Sequence, residues 1–150
     1  MTAKAMQRDA VSTQLIGHWE LGGEKLVALA AEIPESRFEF RPLEGVRSVG
    51  DVLRHVAFWN RYVADKARGK NADDGANELP KEKFSTKTQV IDELKGSLAE
   101  ASEAFKEHEG GLSPELTDML VSFIEHNSEH YGQVAVYARM NGIVPPASRG

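Results

Sequence analysis

The longest uninterrupted helical pattern in this 150-residue chain begins at Ser113-Pro114-Glu115 and ends at Asn141-Gly142. Serine as the N-cap, proline at the first helical position and an acid in the first turn are typical of a helix start. Apolar residues recur along the stretch at helical spacing, at Leu116, Leu120, Phe123, Val134 and Tyr137. A helix with one apolar face must bury that face. The rest of the chain therefore has to supply packing partners.

Two histidines lie on the face that this helix should turn inward. His126 and His130 are four positions apart, a spacing that places two side chains on one helix face, roughly 6 Å apart along the axis. Both imidazoles can then converge on a single metal ion. Spacing alone also allows the simpler alternative of two hydrogen-bonded core histidines.

Three further stretches show apolar residues at helical spacing. They span approximately residues 8–31, 49–69 and 86–107. Ser48 with Asp51, and Thr86 with Gln89, have the three-residue spacing of a capping box at the second and third starts. Gly22-Gly23 falls inside the first stretch, where we expect a local bend or a close approach of another helix.

No stretch shows the alternation of a β-strand over a useful length. Four helices without repeats predict an all-α fold, an antiparallel-type four-helix bundle forming a single domain over residues 1–150. The connections 34–47 and 70–85 are rich in proline, glycine or polar residues and are long enough to cross over the bundle. We expect the polar segment Lys70 to Lys83 to be a mobile loop that covers the site.

The composition excludes several classes of protein. Eighteen basic and 23 acidic residues give a net charge of −5, and the basic residues are dispersed, so no nucleic-acid surface is expected. No apolar run reaches the roughly 20 residues of a membrane span, and the N-terminus lacks the apolar core of a signal peptide, so we expect a cytoplasmic protein. The chain contains no cysteine. Any metal must therefore be held by nitrogen or oxygen, and any reacting thiol must come from outside.

A zinc-like ion in an enzyme usually has three protein ligands and one open position. His55 is the natural third ligand, because it lies at the border of the buried face of the second helix. Glu125 and Glu129 adjoin the pair in sequence but point to other azimuths, so we expect supporting or surface roles for them. His18 is interpreted as a core-edge or exposed residue, with pocket lining as the alternative, and His108 as solvated.

Two segments resemble a known family. The run His126-Asn-Ser-Glu-His130-Tyr-Gly-Gln133 is similar to the C-terminal signature of the DinB/YfiT-like family, and Ser48-Val-Gly-Asp-Val-Leu-Arg-His55 to its second-helix signature. The resemblance extends from the first helix to Pro146 and implies a four-helix bundle whose metal-binding histidines are His55, His126 and His130. Neutral imidazoles suit zinc or nickel. Many members carry a basic residue after the last histidine, where this chain has Tyr131.

The resemblance also implies an activity. Some relatives are transferases or isomerases that use low-molecular-weight thiols such as mycothiol or bacillithiol, so the expected partners are an external thiol and a small electrophilic substrate. One alternative is a metal-assisted hydrolase, which needs a general base beside the open position. Another is a non-catalytic metal-binding or interaction module. This last reading is favoured if Trp59, Tyr62 or Tyr137 fills the space above the metal.

A homodimer is predicted chiefly because members of that family are commonly dimeric. The sequence adds one physical argument, since four short helices are not expected to bury all of Trp19, Phe38, Phe40 and Phe84. An exposed aromatic patch would favour self-association.

Overall fold

A computed structural model describes residues 8–150. Its helices are α1 (Ala10–Glu32), α2 (Val49–Ala67), α3 (Lys87–Lys106) and α4 (Pro114–Met140), with short 3₁₀ turns at Glu35–Arg37 and Pro146–Ser148. Over residues 8–150 no β-strand forms. The all-α prediction and the four predicted helices are thus confirmed, with boundaries shifted by no more than two residues.

Each helix start is fixed by a side chain that accepts a hydrogen bond from a backbone N–H in the first turn. The caps are Asp9, Ser48, Thr86 and Ser113. Both predicted capping boxes are present and reciprocal. The shorter Asp51 replaces the usual glutamate successfully, because its carboxylate still reaches the Ser48 N–H at 3.1 Å. These local contacts set where the helices begin.

The helices α2 and α3 are neighbours that run parallel. Arg61 pairs with Glu93 at 2.7 Å, and Arg68, later in α2, pairs with Glu107, later in α3, at 2.9 Å. The prediction of an antiparallel-type bundle is therefore wrong for this pair. Parallel neighbours require a connection that returns along the bundle, and residues 68–86 provide it. This crossover passes alongside the second and third turns of α2.

The remaining neighbours show why Gly22-Gly23 is tolerated in α1. Trp19 packs edge-on against Phe105 at 6.3 Å between ring centroids, and Gly23 faces Leu98, so α1 runs antiparallel to α3. A Cβ at Gly23 would lie 2.8 Å from a methyl carbon of Leu98. Of the two predicted outcomes, close helix approach is the one realised, and α1 continues without interruption through both glycines.

The four aromatic residues that were expected to form an exposed patch, and so to favour a dimer, are buried or half-buried. Trp19 and Phe38 are only 2% and 4% exposed, and Phe40 and Phe84 are half-buried against the core. The expected exposed aromatic patch does not form from these four residues. The homodimer itself stays a prediction that rests on the family resemblance.

Two histidines lie outside the expected site. His18 is exposed on α1, which leaves the pocket-lining alternative unsupported. His108 is half-buried, and its Nε2 lies 2.6 Å from the Ala67 carbonyl oxygen. Its predicted solvation is wrong because the α3 end packs beside the end of α2. None of the helices described within residues 8–150 has the length and apolar character required to cross a bilayer.

The apolar core comes from all four helices and does not depend on an ion. We therefore expect the chelator-treated protein to keep its helical circular dichroism spectrum while its melting temperature falls, because a ligand that binds only the folded state stabilises it. Thermal melts with and without chelator measure this. A random-coil spectrum after chelation would contradict it. The His126→Ala/His130→Ala variant is the control, since its melting temperature should not respond to chelator.

Candidate metal centre

The structure brings His55 of α2 together with His126 and His130 of α4. One ring nitrogen from each lies within 4.8 Å of the others, and His55 Nε2 is 3.0 Å from His126 Nε2. Within residues 8–150, these three are the group of His, Cys, Asp or Glu side chains close enough to share an ion. Zinc–nitrogen bonds of about 2.0–2.1 Å in a tetrahedron place ligand atoms about 3.3 Å apart. The cluster therefore has dimensions that fit one transition-metal ion.

His55 is oriented by the crossover between α2 and α3. Its Nδ1 lies 2.7 Å from the backbone oxygen of Asn77. A carbonyl oxygen only accepts, so His55 must donate its Nδ1–H, and the lone pair lies on Nε2. His55 is 6% exposed, whereas Asn77 lies on the exposed crossover, so a surface residue fixes the orientation of a buried ring.

His130 is oriented by a relay that also ends on a backbone carbonyl. The Tyr137 hydroxyl donates to the Arg47 carbonyl oxygen at 2.9 Å, and it accepts from Gln133 Nε2 at 2.9 Å. Gln133 Oε1 then faces His130 Nδ1 at 2.9 Å. Because the Arg47 carbonyl can only accept, each hydrogen bond in this relay has a fixed donor and a fixed acceptor. His130 therefore donates its Nδ1–H to Gln133 Oε1.

A second relay of the same kind crosses the core to His126. The Ser97 hydroxyl donates to the Leu94 carbonyl oxygen at 3.0 Å and accepts from the Asn60 amide at 3.3 Å. Asn60 Oδ1 accepts from the Asn127 amide at 3.2 Å, which turns Asn127 Oδ1 towards His126 Nδ1, also at 3.2 Å. Ser97, Asn60 and Asn127 are all buried. His126 is thus directed to donate its Nδ1–H.

All three imidazoles are consequently held as the tautomer that carries hydrogen on Nδ1 and a lone pair on Nε2. In this state the Nε2 atoms of His55 and His126 face each other at 3.0 Å with no hydrogen between them. Two lone pairs at that distance repel, and a shared cation turns the repulsion into attraction. The donor set and its orientation therefore fit a divalent transition metal.

The electrostatics favour neutral rings. Burial lowers the pKa of His55 to about 4, the Asn77 carbonyl opposes this shift, and the charges of Arg47 and the other two histidines add to it. Burial also lowers the pKa of His126, again with a contribution from Arg47. A metal ligand must be the neutral imidazole. Both rings are in that state at neutral pH.

Half-buried aromatic rings form a wall on one side of the cluster. The Phe123 ring lies 5.5 Å from His126 and 5.8 Å from Trp59, and Trp59 lies 6.4 Å from His55 and 5.0 Å from Tyr62, all between ring centroids. Tyr137 is buried and belongs to the His130 relay. Trp59 and Phe123 therefore lie beside the histidines, Tyr62 packs against these two rings, and Tyr137 supports His130 through the relay.

Other residues singled out in the sequence lie at the periphery. Glu125 and Glu129 are exposed on α4, as expected for surface residues. The Tyr131 ring lies beneath the Lys25 ammonium of α1, 4.7 Å from ring centroid to nitrogen. At the position where this chain departs from the resemblance, Tyr131 thus makes a cation–π contact with another helix.

Sequence reasoning missed the residues that orient the histidines. Two signals were available: Asn60 is a polar residue on the apolar stripe of α2, and Gln133 with Tyr137 continues the helical spacing from His130. For Asn77, in the polar crossover, the sequence carries no such signal.

The comparison with protein families agrees with this geometry. A family model described as the DinB superfamily matches residues 18–134, which include all three clustered histidines. The chain belongs to the DinB superfamily. No curated protein matches it. The family and the helical bundle are thereby confirmed, and the histidine cluster could hold the metal that members of the superfamily bind.

Proposed function

We propose that this DinB-superfamily protein binds zinc or nickel through Nε2 of His55, His126 and His130, and that it is a thiol-dependent S-transferase. The observation that carries the metal assignment is the common tautomer, imposed by three hydrogen-bond paths that each end on a backbone carbonyl. Three lone pairs directed to one point repel each other and lack hydrogen-bond donors, so the arrangement is unfavourable unless a cation binds there.

The same cluster supports the choice of an external thiol. Three neutral imidazoles would leave the charge of a divalent ion uncompensated, and among residues 8–150 no carboxylate joins them. When bound, the ion would supply an open coordination position and a positive charge that favours an anionic ligand such as a thiolate. Because the chain has no cysteine, the thiol must be a separate molecule.

The residues around the cluster have separate roles in this proposal. Arg47 lowers the pKa of His55 and His126, and because its guanidinium is paired with the Glu78 carboxylate, the positive charge that attracts an anion would come from the ion itself. The half-buried wall of Trp59, Tyr62 and Phe123 offers apolar surface to the electrophile. In the transfer, the sulfur forms a bond to the electrophilic carbon, the leaving group departs with its bonding electrons, and the thiol proton passes to solvent.

The test uses cobalt-substituted protein, because a sulfur ligand on cobalt gives a charge-transfer band. Glutathione, cysteine, mycothiol and bacillithiol are titrated in turn, and conjugation to a chromogenic aryl halide is then assayed with each thiol. We expect one thiol to produce the band and to support turnover. The His126→Ala/His130→Ala variant should show neither signal.

Two other outcomes would replace the transferase. Turnover of ester or amide substrates with an unchanged cobalt spectrum would favour the metal-assisted hydrolase. Silence in both assays with a bound metal would favour a non-catalytic metal-binding module, in which the aromatic wall beside the histidines serves packing alone.

A further inference from the structure

Three consecutive residues of the crossover, Asn77-Glu78-Leu79, contact the metal centre and its supports. We call them the 77–79 segment. Asn77 holds His55, Glu78 holds Arg47, and Leu79 is attached to the α2 backbone through its N–H, which donates to the Arg54 carbonyl oxygen at 3.4 Å. The segment therefore touches the supports of two of the three histidines.

Asn77 makes two contacts with α2 at once. Its backbone oxygen accepts from His55 Nδ1, and its side-chain Oδ1 accepts from Trp59 Nε1 at 2.9 Å. His55 and Trp59 are four residues apart, so they present their N–H groups on one helix face. The Trp59 bond fixes the Asn77 side chain, and this in turn fixes the carbonyl that orients His55.

The backbone of Asn77 is in the left-handed region, with φ of 62°. Asparagine adopts this conformation more readily than other residues with a Cβ, and a β-branched or larger residue would be strained there. Asparagine is therefore suited on two grounds, since it tolerates the backbone conformation and supplies the acceptor for Trp59. Glycine satisfies only the first requirement, and aspartate satisfies both.

Glu78 connects the same segment to the residue that supports His130. Its carboxylate accepts from Arg47 Nε at 2.5 Å, and the Arg47 carbonyl oxygen is the end point of the His130 relay. Both side chains are about one-third exposed, at 34% and 33%. Displacement of the segment would thus loosen the orientation of His55 directly and that of His130 through Arg47.

We infer that the 77–79 segment is a clamp coupled to metal binding, with Asn77 as the residue that positions His55. The inference rests on the proposed metal site and adds a means of regulation to it. Coupling is reciprocal, so the metal should hold the segment in place as strongly as the docked segment raises metal affinity. A factor that frees the segment would lower metal affinity without touching a ligand.

The experiment measures zinc affinity by competition with a chromogenic chelator in wild type and four variants. Asn77→Ala and Asn77→Gly remove the acceptor for Trp59, and Asn77→Asp keeps it. Asp73→Ala alters the same crossover at an exposed side chain that accepts from the Gly75 N–H. We expect the first two to weaken zinc binding by about 10-fold or more, the range seen for residues that orient metal ligands. Asn77→Asp should bind zinc more tightly than Asn77→Ala because it restores the acceptor for Trp59, and Asp73→Ala should bind zinc within about twofold of wild type.

Two further readouts distinguish positioning from general stabilisation. Nitrogen-15 NMR of the metal-free proteins should show His55 as the Nδ1–H tautomer in wild type and as a mixture in Asn77→Ala. Zinc should slow hydrogen exchange at the Leu79 amide in wild type and not in Asn77→Ala.

Unchanged zinc affinity and an unchanged His55 tautomer in Asn77→Ala and Asn77→Gly, with only a lower melting temperature, would overturn the inference while leaving the metal site intact. Failure of wild type itself to bind zinc would instead remove the metal site, and the coupled clamp with it.

Discussion

The His126→Ala/His130→Ala variant should lose its bound metal and remain a folded helical bundle. The two substitutions remove two of the three proposed ligands, so the affinity should fall by far more than the 10–100-fold typical of residues that only orient a ligand. Neither imidazole belongs to the apolar core. Their hydrogen-bond partners Asn127 and Gln133 are part of α4 itself. The two substitutions should therefore affect metal binding far more than folding.

Elemental analysis of the purified proteins, followed by zinc titration, measures this effect. The matched control is His18→Ala/His108→Ala, which removes the same number of histidines from positions outside the cluster. The control should retain the metal content of wild type. Equal metal content in the two double variants would contradict the assignment of His126 and His130 as ligands.

The helix boundaries were predictable because their determinants are local. Ser48 with Asp51, and Thr86 with Gln89, act within one turn, so the structure reproduces both capping boxes where the sequence places them. The choice of neighbours was not predictable in the same way. Periodicity shows which face of a helix is buried and leaves the partner open, so the parallel arrangement of α2 and α3 became visible only through pairs such as Arg61 with Glu93.

Helical periodicity does not predict whether a histidine at the border of an apolar face is buried. His18 and His55 both lie next to a buried stripe in the sequence, yet His18 is exposed and His55 is 6% exposed. The difference comes from the crossover, which covers His55 with Asn77. A contact between a helix and a distant connection has no periodic signature, so spacing could identify candidate ligands and could not rank them.

Buried polar residues on an apolar stripe carry more information than the histidine spacing does. Asn60 is fully buried at a position where Val56 and Val63 mark the core face of α2. Burying an amide is unfavourable unless each of its polar atoms is paired. The pairing found for Asn60, with Ser97 on one side and Asn127 on the other, explains its presence by the orientation of His126.

Replacing Asn60 with leucine should therefore weaken metal binding although the hydrogen bonds of the Asn60 side chain go to Ser97 and Asn127 and not to a histidine. Without Asn60, nothing prevents the Asn127 amide from turning its NH₂ towards His126, which would favour the tautomer with hydrogen on Nε2 and block that ligand atom. We expect zinc affinity to fall by about 10-fold. Leaving the Asn127 amide without its partner should also lower the free energy of unfolding by about 1–3 kcal/mol.

Chelator competition, urea unfolding and nitrogen-15 NMR of His126 separate these two effects. Ser128→Ala is the control on α4, because Ser128 is exposed and its hydroxyl donates to the Ile124 carbonyl oxygen one turn earlier in the same helix. A second control is the background of Asn127→Leu, in which Asn60→Leu should weaken zinc binding no further, since the relay is already broken. If Asn60→Leu lowered stability while zinc affinity and the His126 tautomer stayed at their wild-type values, the buried relay would serve packing alone, and the orientation of His126 would have to come from the metal itself.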